Sequence, residues 1–182
     1  MTAAFPAFMV LLCGAAFLRA QSAGQPVNVA EFGEIRLVVS GGTGGTAATA
    51  FLTQDGNRKS VLLNPGDSIE VAWTMPRAVR AVEMGFEGSA PDPSCLIVEW
   101  WQRVWPDSGS GGWMKLDDPF NGRWTRARTS ASQQGASVRC EVLPLDQTEL
   151  PSAKHLGADF RLTYKLRLTC ASAVRVRQVA AF

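Results

Sequence analysis

Histidine is almost missing from this 182-residue chain: His155, in the loop Leu150-Pro-Ser-Ala-Lys-His-Leu-Gly157, is the only one. A single histidine excludes the multi-histidine metal sites that support hydrolysis. A Ser/His/Asp arrangement would have to use it, but the chain contains no Gly-x-Ser-x-Gly elbow, so it reads as a surface residue. An excess of one charge is missing too. The 18 Lys and Arg set against 16 Asp and Glu leave +2, with both signs scattered, which speaks against binding to nucleic acid phosphate. No stretch of about ten residues has clean helical periodicity, and no run after Leu18 is apolar enough to span a membrane. Cysteines are few, and no CxxC or Cys/His spacing suggests zinc.

The apolar run from Ala3 to Leu18, followed by small residues near Ala20 to Ser22, predicts a secretory signal peptide over 1–22. Leu12 stands before Cys13 where a lipoprotein signal needs a small residue, so no lipid anchor is expected. Residues 23–34 read as a flexible mature N-terminus and 35–182 as one domain, of a length suited to a single core. The expected location is secreted, periplasmic or extracellular. Cleavage would leave Cys95, Cys140 and Cys170, all in apolar strand-like segments, so at most one intrachain disulfide can form and its pairing stays open. The last run, Val174-Arg-Val-Arg-Gln-Val-Ala-Ala-Phe182, alternates like a strand and stops on an aromatic. It leads us to expect the N-terminal part of a longer protein.

Between Ile35 and Phe182 short β-rich runs are separated by Gly, Pro, Asn and Asp, which predicts an all-β chain folded as a two-sheet antiparallel sandwich or jelly roll. The expected strands are 35–40, 48–53, 60–63, 68–74, 79–86, 96–104, 124–129, 138–143, 161–169 and 174–182. Asp55-Gly56-Asn57 and Asn64-Pro65-Gly66-Asp67 are turn signals that bracket a hairpin arm. Residues 145–159 read as a surface loop with room for a helical turn. The glycine run Ser40 to Thr46 formally matches a dinucleotide fingerprint at Gly42, Gly44 and Ala47. A turn arrives within ten residues, no βαβ unit follows, and the run reads as a connection between strands.

Five of the six tryptophans fall between Trp100 and Trp124. At period two, Leu96, Val98, Trp100 and Val104 point to one side of their strand, and Ile97, Glu99, Trp101, Arg103 and Trp105 to the other. The first set belongs in a core, where Trp73 and Trp124 are also expected. The second mixes indoles with charge. A flat ring can receive the apolar face of a pyranose while neighbouring Glu and Arg side chains bind its hydroxyls. Trp101, Trp105, Trp113, Glu99 and Arg103 are therefore the candidate ligand contacts, although a strand face covered by a loop would have the same composition. Asp117, Asp118 and Asn121, with Gly122 allowing a bend, are candidate oxygen ligands for a structural Ca²⁺; a capped turn made by Asx side chains is the competing reading. Glu83, Glu87, Glu99 and Asp118 form no evident catalytic pair, because their spacing does not bring two acids together.

The segments Ala50 to Ser60, Pro65 to Trp73, Trp100-Trp101 with Trp105, Asp117 to Trp124, and Tyr164-Lys-Leu-Arg-Leu168 through Val174 to Val179 together resemble the galactose-binding-like, or discoidin-like, jelly-roll domains of large secreted bacterial proteins, many of which act on carbohydrate. The resemblance implies a β-sandwich that binds glycans, lipid headgroups or proteins through loops at one end, and it assigns no ligand residue here. We therefore expect a secreted, noncatalytic accessory domain, monomeric as a domain, with a glycan or a neighbouring protein domain as its partner. The alternative expectation is a structural or docking module that positions a downstream catalytic domain. No cofactor is expected beyond the possible Ca²⁺.

Overall fold

The computed structural model describes residues 26–40, 60–103, 122–151 and 156–182. Among them the chain forms ten strands: β1 (Glu34–Val38), β2 (Val61–Leu63), β3 (Ser68–Val79), β4 (Ala81–Phe86), β5 (Leu96–Arg103), β6 (Gly122–Arg126), β7 (Thr129–Gln134), β8 (Ser137–Val142), β9 (Arg161–Cys170) and β10 (Val174–Ala181). They make two five-stranded antiparallel sheets, ordered β1-β3-β9-β5-β6 (sheet A) and β2-β10-β4-β8-β7 (sheet B). The fold is the expected all-β, two-sheet sandwich.

Alternation builds the core. Val82, Met84 and Phe86 of β4, Val138 and Cys140 of β8, and Val176 and Val179 of β10 meet Ile69 and Val71 of β3, Val98 and Trp100 of β5, and Leu166 and Leu168 of β9, all of them buried. Each fully buried Val, Leu or Met removes apolar surface from water worth roughly 1.5–3 kcal/mol. A one-residue slip would turn that set outward, so the pattern fixes the register.

The turn Asn64-Pro-Gly-Asp67 closes with Asp67 N–H donating to Asn64 O at 3.0 Å, and Gly66 holds a φ of 93°. It carries the chain from sheet B to sheet A: β2 pairs with β10, and β3 opens in the other sheet. Asp67 accepts from the backbone N–H groups of Ser40 (2.9 Å) and Asn64 (3.1 Å), which together hold its carboxyl below the usual range.

Three features differ from the sequence reading. β3 does not stop at Thr74 but continues to Val79, with a register shift against β9 between Ala72 and Arg77. Pro76 lies inside that shift; it has no N–H for the ladder, and a bulge is where a strand tolerates it. The polar run Thr129–Gln134 is a strand, β7, at the edge of sheet B. The stretch read as a flexible mature N-terminus is docked from Asn28 onward, where Val29–Phe32 form a 3₁₀ turn. Asn28 Oδ1 accepts from Ala181 N–H at 3.0 Å, Ala30 is fully buried, and Trp73 Nε1 donates to Val29 O at 2.7 Å. Gly33 is needed here, because a Cβ would stand 2.8 Å from Trp73 Nε1 and 3.0 Å from Ala72 O.

Of the three cysteines among the described residues, Cys95 and Cys170 are bridged, with Cα atoms 5.0 Å apart, and Cys140 is a buried free thiol. Antiparallel pairing places Leu96 opposite Cys170, which brings the two partners together. Burial pushes the Cys140 thiol up to about 11.

Candidate functional site

β5 keeps the predicted parity. Leu96, Val98 and Trp100 are buried, while Ile97, Glu99, Trp101 and Arg103 are half-buried on the outer face of sheet A. Glu99, Trp101 and Arg103 thus share that face. Trp105, Trp113, Asp117, Asp118 and Asn121 lie outside the described residues. Among the described residues no group of three or more His, Cys, Asp or Glu side chains could hold a metal ion.

Trp124 was expected in the core and is instead on the outer face. Its register partner is Trp101, so both indoles leave the same side of the sheet, edge to face, with centroids 5.2 Å apart and planes at 72°. Such pairs contribute about 0.5–1.5 kcal/mol beyond area burial. Gly122 allows the approach, since a Cβ there would lie 2.5 Å from Gln102 O and 2.6 Å from Trp101 Nε1.

Cations from β9 and β5 interleave with these rings. The Arg167 guanidinium lies 4.1 Å from the Trp124 centroid, the Lys165 ammonium 4.9 Å from that of Trp101, and the Arg103 guanidinium 5.6 Å from that of Tyr164. Arg167 is itself anchored: Nε and Nη2 both donate to Glu70 Oε1, at 2.9 and 2.7 Å, and Nη1 lies 3.9 Å from Glu99 Oε2. To stack on the Trp124 face that Arg167 occupies, a ligand would have to displace a cation worth roughly 0.5–2 kcal/mol and break its ion pair with Glu70. Arg167 thus covers one face of Trp124.

The backbone under Trp101 is held by a side chain. The β5–β9 ladder ends at Trp100 and Leu166, and beyond it Thr163 Oγ1 accepts from Trp101 N–H (3.1 Å) and Lys165 N–H (3.2 Å). Its one proton is shared between Trp101 O (3.1 Å) and Lys165 O (2.8 Å). Thr163 replaces ladder bonds at the point where the β3 bulge disturbs β9.

That bulge also shapes a groove of about 320 Å³, floored by Ala72, Trp73, Thr74, Tyr164 and Lys165 and walled by Phe32, Glu34, Arg36 and Glu70. Glu34 and Arg36 pair at 2.6 Å, and the guanidinium holds the Glu34 carboxyl below its usual range.

Beneath the outer face lies a buried polar cluster that sequence reasoning missed. Arg161 grips Glu149 with two parallel bonds, Nε to Oε1 (2.6 Å) and Nη2 to Oε2 (2.5 Å). Trp100 Nε1 donates to Glu149 Oε1 at 2.8 Å, and Arg128 N–H donates to Oε2 at 3.1 Å. The remaining Arg161 donors reach the carbonyls of Leu143, Ala158 and Phe160. Glu149 is therefore a structural carboxylate, although it lies in what reads as a surface loop. Of the acids weighed as catalytic, Glu83 is engaged with Arg139 at 3.8 Å, Glu87 with the Ser60 hydroxyl and Glu99 with Arg167, while Asp118 lies outside the described residues.

No family profile matches the sequence, and no curated protein does. Among solved structures the chain is similar to chitosan-binding module 1 from a chitosanase/glucanase of Paenibacillus sp. IK-5, with a TM-score of 0.50 at 14% identity, over 86% of this chain and 99% of that one. It is also similar to a chain of the Streptococcus pneumoniae β-galactosidase BgaA, with a TM-score of 0.49 at 13% identity, over 87% and 99% of the respective chains. At this identity the likeness establishes the fold alone, a two-sheet β-sandwich.

Proposed function

We propose that this chain is a secreted, noncatalytic accessory domain that binds carbohydrate on the outer face of sheet A. One observation carries the reading: Trp101, paired with Trp124, stands on that face among Glu99, Arg103, Lys165 and Arg167, beside an open groove. An indole with hydrogen-bonding charges at its margin offers a pyranose both dispersion contact and hydroxyl partners. Sharing a fold with a chitosan-binding module supports the reading, and the Cys95–Cys170 bridge fits an oxidising compartment. Trp105 and Trp113 extend the proposed contact set along the sequence. Affinity gels containing soluble polysaccharides test it: the wild-type chain should be retarded by at least one of them, and Trp101→Ala should run free while its thermal unfolding stays cooperative. Equal retardation of the two would refute Trp101 as a contact.

The second reading is a docking module for a neighbouring domain. The cations already seated against both indoles favour it, because they satisfy these rings from within the chain. Co-elution with the adjoining domain that is lost in Trp101→Ala, together with no retardation by any polysaccharide, would replace the first reading with the second.

A further inference from the structure

Building on the proposed carbohydrate-binding role, we infer that the groove at the β3 bulge is a second sugar subsite, continuous with Trp101, so that sheet A takes a neutral glycan chain laid across its strands. Phe32 stands at the rim, 63% exposed, on a turn held down by the Trp73–Val29 hydrogen bond and by Asn28. Tyr164 lines the same groove. A lone exposed aromatic is ordinary, but three rings, Phe32, Tyr164 and Trp73, around a cavity of about 320 Å³ with carboxylate and cation neighbours have the composition of a small-ligand site.

Continuity rests on two residues. Lys165 lines the groove and also carries the ammonium at Trp101, and Glu70 lines it while anchoring the Arg167 that covers Trp124. From β1 to β6 the face crosses four strand intervals, roughly 19 Å at the usual spacing. That is several pyranose rings long, so one sugar cannot occupy both ends.

Charge balance sets the ligand class. Glu34 and Glu70 face Arg36 and Lys165 around the groove, so neither a polyanion nor a polycation gains a net attraction there. A neutral glycan offers hydroxyls to both signs.

Isothermal titration of the whole chain with β-1,4- and β-1,3-linked glucose oligomers of two to six units, and with glucosamine oligomers of the same lengths, is the test. We expect affinity to rise at least tenfold between two and six units in a neutral series, and the glucosamine series to bind more weakly at equal length. Phe32→Ala, at an exposed position, should fold normally and cut the gain from lengthening about tenfold, whereas Trp101→Ala should weaken binding at every length. Flat affinity across lengths, or a lengthening gain that survives Phe32→Ala, overturns the second subsite while leaving Trp101 as a sugar contact. Stronger binding of the glucosamine series overturns the neutral-chain assignment. Binding of none of these oligomers overturns the subsite, and the carbohydrate-binding role falls with it only if the affinity gels also show no retardation by any polysaccharide.

Discussion

The two sheets contribute similar aliphatic side chains to a shared core, yet they differ in almost everything else that holds them. Sheet A is tied by the disulfide from the turn just before β5 to the end of β9, the Thr163 hydroxyl that bonds Trp101, and the Arg161–Glu149–Trp100 cluster. Among the described residues sheet B relies on its ladder and apolar packing, with Cys140 as a free thiol and Arg139 joining Glu83, Glu141 and the Phe182 ring at its surface. The outer faces diverge in the same sense. That of sheet A is a lattice of rings and cations, and the edge of sheet B is the exposed Ser/Gln strand β7. Polar residues at an edge discourage pairing with another chain. Constraint is concentrated beneath the face that carries the aromatic rings, as expected where side-chain geometry has to be preset.

The largest expected effect tests this asymmetry at its charged groups. Arg161→Ala leaves the Glu149 carboxylate buried without its cation and should cost about 3–5 kcal/mol in urea unfolding. Arg139→Ala in sheet B should stay within about 1 kcal/mol, because its ion pairs are partly solvated. Equal losses would erase the distinction.

The cysteines give the next contrast. Removing the bridge as Cys95→Ser/Cys170→Ser frees a loop of 75 residues and should lower stability by roughly 4 kcal/mol in the chain-entropy account. In sheet B the Cys140 thiol, raised to about 11 by burial, should react with iodoacetamide at pH 8 only as fast as the protein unfolds. Rapid labelling of the native protein would show sheet B to be looser than its packing implies.

A smaller change probes the support of Trp101. Thr163→Val keeps the shape and strands the N–H groups of Trp101 and Lys165, so a loss of about 1–3 kcal/mol and an altered near-ultraviolet circular dichroism are expected. Thr163→Ser should restore both signals. If valine behaves like threonine, the hydroxyl does not hold β5.

The smallest effect concerns the corner that joins the sheets. Because the folded chain depresses the Asp67 carboxyl, its contribution is complete above the ordinary aspartate range and disappears as pH falls through the folded value. Thermal midpoints of the wild type and Asp67→Asn should therefore differ at pH 7 and converge in acid. A difference that is constant with pH would assign the effect to shape instead of charge.

Much of this was legible in the sequence, and the failures have physical causes. Alternation in β5 separated Trp100 from Trp101 correctly because a half-buried strand writes its parity into its residues. Trp124 could not be placed in the same way: its side is set by the register Trp101↔Trp124, a long-range pairing that no local pattern encodes. β7 escaped notice because an exposed edge strand has no apolar alternation. Glu149 and Arg161 look like ordinary surface charges until the fold brings them together, and the choice of Cys95 with Cys170 depends on the β5–β9 register. The groove had one visible signal, Pro76 within an otherwise strand-like run, but that residue marks a bulge without saying what the bulge exposes.

The Trp101–Trp124 pair also has an optical consequence. Two indoles 5.2 Å apart and steeply inclined couple their electronic transitions, so the pair should produce a split circular dichroism band that neither ring shows alone. The band should vanish in either single Trp→Phe variant. A molecule arriving at Trp101 would change the splitting without any attached dye, which makes the outer face of sheet A its own reporter.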